Sequence, residues 1–218
     1  MYMLKDLIDI DRINDKSYMD KMGLTVKQRD DVFLLKYNKK SIKYNSLLRS
    51  VLIYNGNIVS FSPPKSINYD LFKETKDISK VEEFVEGTMI HCFCVGDRWE
   101  IATRSVIGAE YNYDGRKNFK RMFLEAIERT VKDFNIFNER YSYIFILQHP
   151  ENRIVANFTE PNIVLLKMYE SIEGGKREVN FYEREFDDFR SRFNVPRKFN
   201  LTTFESIERD VKNLSWEC

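Results

Sequence analysis

The sequence predicts an α+β fold of antiparallel sheets flanked by helices. Three observations predict it. Short β-branched and aromatic runs are separated by two-residue turn signals, which is the signature of hairpins. Amphipathic helical segments are interleaved with these runs. No regular alternation of strand and helix appears, which disfavours a parallel α/β sheet.

The elements follow in chain order. Residues 1–30 read as a helical or irregular lead-in, and residues 31–218 as one domain. Asp31–Tyr37 is the first strand-like run. Leu47–Tyr54 is the second, and it meets Asn55-Gly56, a strong hairpin turn. Asn57–Phe61 returns, and Pro63-Pro64 bars further pairing in a central strand. A second hairpin runs from Met89–Val95 through Gly96-Asp97 to Trp99–Thr103. Tyr143–Leu147, Ile154–Phe158 and Ile163–Met168 form a third group. Between Arg116 and Phe134, apolar residues at spacings of three and four make one helical face. Thr202 with Glu205 fits a capping box for a last helix through Phe204, Ile207, Val211 and Leu214.

Composition narrows the function classes. The formal net charge is +1, so any grip on nucleic acid must be local rather than a bulk basic attraction. Apolar runs such as Tyr143–Leu147 are too short to span a bilayer, so no membrane contact is expected. Three cysteines, an odd number, argue against a disulfide framework, and the N-terminus lacks a signal-peptide layout. A cytoplasmic location follows as an expectation. Cys92 and Cys94 share one face of a strand and read as small buried hydrophobes rather than zinc ligands. His149, ahead of Pro150, reads as a turn-stabilising residue. With only His91 and His149 in the chain, no hydrolase triad and no metal site has support.

Three segments in order carry a resemblance. Leu48-Arg49-Ser50-Val51-Leu52-Ile53 leads through the first hairpin to Pro63-Pro64-Lys65-Ser66. Phe84-Val85-Glu86-Gly87-Thr88 leads into the second hairpin, which ends at Arg104. Tyr143–Leu147 is followed by the turn Pro150-Glu151-Asn152-Arg153-Ile154-Val155. Together they resemble the adenylation domain of phage-type, tRNA-repair ATP-dependent RNA ligases, a nucleotidyltransferase fold related to ATP-grasp. The resemblance covers roughly residues 30–215.

The resemblance implies roles. Arg49 and Lys65 match the residues that hold the ATP phosphates. Glu86 and Gly87 match the nucleotidyl-transfer motif, and Arg104 falls near a basic position on the returning strand. All five are expected to contact nucleotide, and Arg153 to contact RNA or phosphate. ATP and Mg2+ are implied cofactors, and RNA or a nucleotide the implied ligand. Two positions depart from the family. Phe84 stands where the nucleophilic lysine belongs, and Ile146 where a ribose-binding glutamate belongs. The downstream Glu-Gly motif does not appear before Cys218, so a fragment, or a partner chain supplying the missing motifs, enters as an expectation.

The chemistry gives these departures weight. The ligase lysine attacks the α-phosphorus and becomes a lysyl-adenylate. A phenyl ring has no lone pair with which to form that phosphoramidate. The leading expectation is therefore a nucleotide- or RNA-end-binding domain impaired in self-adenylation. An active ligase with a displaced nucleophile and a structural or partner-binding protein that keeps only the fold are the alternatives.

Overall fold

A computed structural model describes residues 1–38, 46–74, 78–112, 117–132, 134–152, 154–173 and 175–213. Two antiparallel sheets face each other, and a helix covers the outer face of the larger one. The chain opens with short 3-10 turns and helix α1 (Lys16–Met22), capped by the Asp15 side chain and closed by Gly23. Strands β1 (Leu24–Arg29) and β2 (Val32–Tyr37) then pair across Asp30-Asp31. The first sheet thus begins ahead of the expected boundary at residue 31. Its strand β1 is mostly polar outside Leu24, and this hides it from a hydrophobicity pattern.

Strands β3 (Val51–Tyr54) and β4 (Asn57–Phe61) complete a four-stranded sheet in the order β1-β2-β3-β4. Asn55 and Gly56 both have positive φ, 47° and 68°, as a tight hairpin turn between right-twisted strands requires. The expected strand over Leu47–Tyr54 is shorter than its sequence suggests. Ser46–Leu48 is a 3-10 turn, and Arg49 sits between it and β3. A short helix α2 (Tyr69–Lys73) follows, with its N-terminus capped by the Asn68 side chain.

The second sheet holds β6 (Thr88–Val95), β7 (Arg98–Thr103), β8 (Tyr141–Gln148), β9 (Asn162–Ile172) and β10 (Gly175–Glu178), in the order β10-β9-β8-β6-β7. The two-residue strands β5 (Val81–Glu82) and β11 (Lys198–Phe199) pair separately. Helices α3 (Phe119–Val131), α4 (Asp187–Arg190) and α5 (Phe204–Asn213) complete the set. No helix among the described residues is long and apolar enough to cross a membrane.

Alternation along β8 explains the layering. Tyr143, Phe145 and Leu147 face α3, where they meet Phe119, Met122, Phe123 and Ala126. Ile144 faces the opposite way and packs with Val51, Ile53 and Phe61 of the four-stranded sheet. Strand β6 does the same: Cys92 joins the helix-side core, while Phe93 and Val95 meet Val32, Leu34 and Leu52. His91 also lies on the sheet-to-sheet side, fully buried. Its Nδ1 is 2.9 Å from Ser60 Oγ and its Nε2 3.1 Å from Ser62 Oγ. A neutral imidazole has one donor and one acceptor, so the two serines satisfy it.

Two further expectations are corrected. Ile154–Phe158 is not a strand; Ile154 and Val155 are 60% and 74% exposed, so no burial supports sheet pairing there. The last helix is capped by Thr203, not Thr202. Its Oγ1 accepts from Ser206 N at 3.2 Å, and Ser206 Oγ accepts in return from Thr203 N at 3.3 Å. The shorter serine thus does the work expected of Glu205.

Candidate nucleotide site

Where the two sheets part, a cleft of about 1050 Å³ opens. Lys27 of β1 and Arg49, just before β3, contribute from the four-stranded sheet. Met89, Ile146 and Leu166 line it from the facing sheet, and Arg104 from the end of β7. The volume suits a nucleotide-sized ligand. Apolar wall and fixed cations together suit a base and its phosphates.

Phe84 lines this cleft and is 89% exposed. A large aromatic side chain so placed contributes almost nothing to the core. It stands on the segment between β5 and β6, just before the close passage at Gly87. Gly87 has φ of +144°, and a Cβ there would overlap the Leu147 carbonyl oxygen and come within 2.6 Å of Ile146 Cγ2. Only glycine fits such an approach, so Gly87 has a structural role whatever else it does.

Glu86 does not line the cleft. Its Oε1 accepts hydrogen bonds from Val155 N at 2.7 Å and Ala156 N at 2.8 Å. Gln148 Nε2 donates to the Glu86 carbonyl at 3.0 Å. The carboxylate expected at nucleotide therefore ties down the loop after β8. Those two amides, bound to a side chain, are also unavailable to the strand expected at 154–158.

The turn at residues 149–152 is pinned to α3. His149 Nδ1 accepts from Glu151 N at 3.1 Å, and its Nε2 lies 3.1 Å from Glu125 Oε2. Lys117 bridges Glu125 at 2.9 Å and Glu151 at 2.7 Å, and these contacts hold both carboxyls below their ordinary pKa. Asn152 Nδ2 donates to Thr88 Oγ1 at 2.8 Å. His149 thus stabilises the turn as its position suggested, and Asn152 joins that turn to β6.

The remaining expected residues divide. Arg49, Gly87 and Arg104 come together around the cleft with Phe84 and Ile146. Lys65 is exposed and does not line it, although its neighbour Ser66 does. Arg153 lies outside the described residues. Cys92 is buried as expected, and burial raises its thiol pKa; Cys94 is half-buried, with its thiol 3.4 Å from Gly96 O.

Sequence reasoning missed Lys27. Its Nζ donates to Ser105 O at 2.9 Å, while Lys36 Nζ donates to Ser105 Oγ at 2.9 Å. These contacts fasten the loop that carries Arg104 to the four-stranded sheet. The signal available was the Asp30-Asp31 turn, across which Leu24–Arg29 mirrors Val32–Tyr37.

A putative ATP-dependent DNA ligase from Aquifex aeolicus superposes with a TM-score of 0.60 at 14% identity, covering 92% of this chain and 54% of that one. The fold is that of the ATP-dependent RNA and DNA ligases. An archaeal ATP-dependent RNA ligase agrees, with a TM-score of 0.59 and 14% identity over 94% of this chain and 57% of its own. An RNA ligase of Rhodothermus phage RM378 is 29% identical over 97 residues, which are 40% of this chain and 22% of that protein. The ligase-like chain thus spans little more than half of each structural neighbour and a smaller share of the phage protein. It matches no protein-family model.

Proposed function

We propose that this ligase-like domain, of the phage type, binds a nucleotide or an RNA end in the cleft between its sheets without transferring AMP to itself. One observation carries the reading: an exposed phenyl ring, Phe84, lines the cleft, and the resemblance implies a nucleophilic lysine at that position of the motif. Arg49 and Arg104 supply fixed cations for phosphate oxygens. Met89, Ile146 and Leu166 offer an apolar wall against which a base can lie. ATP supplies the phosphates that these arginines would hold. A magnesium ion would arrive largely coordinated by those phosphates and by water, as that ion usually is.

A second reading rests on Lys27. It is the lysine that lines the cleft among the described residues, so it is the amine available to a displaced adenylation reaction. Lys80 is a poorer candidate, because it pairs with Glu82 and faces a different groove.

Calorimetric titration with ATP and with a short single-stranded RNA tests the first reading. A folded sample that binds neither defeats it. Incubation with labelled ATP and magnesium separates the two readings. No covalent AMP adduct is expected; an adduct abolished by Lys27→Arg would establish the second.

A further inference from the structure

A second groove, of about 640 Å³, lies on the other side of β5. Ser79, Lys80 and Val81 border it, whereas Glu83 and Phe84 border the nucleotide cleft. Strand β11 forms its other edge, with Lys198 paired in register to Glu82. The floor includes Tyr182, whose ring is held in place by stacking on buried Phe181 at 4.7 Å and by a hydrogen bond from its hydroxyl to Pro196 O at 3.3 Å.

Cations converge on that ring. Lys198 Nζ sits 3.0 Å from its centroid, Arg190 Cζ 5.4 Å and Lys80 Nζ 5.8 Å. Lys80 is paired with Glu82, Arg190 with Asp187 at 2.5 Å, and Lys167 at the groove wall with Glu178 at 2.5 Å. Lys198 has no carboxylate partner within ion-pair distance among the described residues. Burial, and after it the nearby Lys80 charge, lower its pKa, while the Glu82 carboxylate acts in the opposite direction. A ring face attracts an ammonium but leaves its N–H donors without an anionic acceptor. Asn180 and Thr202 add neutral donors to the same groove.

We propose that this groove is a phosphoryl-binding site, centred on Lys198 and Lys80, that takes the backbone phosphates of a single-stranded RNA. An oxyanion there would compensate the unpaired ammonium and meet lysine in its usual role as a point charge for phosphate. Position matches the ligand. Lys80 and Phe84 are four residues apart, about 13 Å along an extended chain, so a strand whose end lies in the cleft reaches the groove along β5. The proposal rests on the RNA-end reading only for the choice of RNA over a free phosphate compound.

The test compares the wild-type chain with Lys198→Gln, Lys198→Arg and the distant control Lys21→Gln. Binding of a short oligouridylate is measured over a range of salt concentrations, with pyrophosphate and ATP titrated separately. Lys198→Gln should weaken oligouridylate binding and make the slope of log K against log salt shallower by about 0.7, the single-strand value for one phosphate. Lys198→Arg should restore the slope, and Lys21→Gln should leave it unchanged. Loss of pyrophosphate binding in Lys198→Gln, with oligouridylate binding unaltered, would keep the phosphoryl site but assign it to a free phosphate compound. Equal binding of both probes by wild type and Lys198→Gln, or binding of neither by wild type, overturns the proposal. ATP affinity should be the same in wild type and Lys198→Gln. Failure of wild type to bind ATP alongside an intact slope effect would count against the cleft, not the groove.

Discussion

Replacing Phe84 with lysine returns an amine to the cleft at little structural cost, because the ring is 89% exposed and packs against almost nothing. Stability should change by no more than about 0.5 kcal/mol in urea denaturation. With labelled ATP and magnesium, a covalent adduct confined to Phe84→Lys would show that this one side chain decides between binding and the proposed transfer chemistry. Gly87 is the opposite case. Alanine there meets both a positive φ and the Leu147 carbonyl, so Gly87→Ala should cost about 3 kcal/mol or more, read as a lowered melting temperature. The sequence marks both residues as members of one motif. Only the packing separates a residue that shapes the backbone from one that faces the cleft.

Among the elements, α5 is held mainly by α2. Phe204 meets Tyr69 at 6.1 Å and Phe72 at 5.8 Å, both edge to face. Glu208 accepts from Lys73 Nζ at 2.7 Å and Tyr69 Oη at 3.2 Å. No residue of α2 is buried, so this pair belongs to the low-stability end of the molecule. Phe204→Ala should speed protease cleavage within residues 200–213 and leave the melting temperature of the sheets unchanged. The helical periodicity of α5 was legible, since Phe204, Ile207 and Val211 recur at helical spacing. Its partner was not, because Ile67, Tyr69 and Leu71 look like an apolar segment yet remain exposed.

For the whole molecule, the interface between the two sheets is the feature on which the cleft depends, and His91, with Ser60 and Ser62, is a polar part of it. Burial lowers the His91 pKa to about 3, against an ordinary value of 6.5. Above pH 6.5 the imidazole is neutral whether the chain is folded or unfolded, and pH has no effect through it. As pH falls below that, the unfolded chain takes up a proton that the folded one refuses. Stability should therefore drop with a slope approaching about 1.4 kcal/mol per pH unit as pH falls from about 6 to about 5.5, above the range where most carboxylates titrate. Urea denaturation across that interval checks this, and His91→Gln should flatten the dependence while lowering stability at pH 7.

The amino-acid sequence by itself determined the hairpins at Asn55-Gly56 and Gly96-Asp97, the helix centred on residues 119–131, and the α+β class. These are local matters of turn conformation and side-chain periodicity. The resemblance, not the pattern itself, implies that Phe84 and Ile146 stand where a ligase carries a lysine and a glutamate. Only the tertiary structure decided that β1 belongs to the first sheet and brings Lys27 to the cleft. The same holds for Glu86, which binds the Val155 and Ala156 amides, and for Lys198, whose ammonium sits over the Tyr182 ring. Those outcomes turn on which groups distant in sequence meet in space, and a charged or polar side chain carries no periodic signal of its partner.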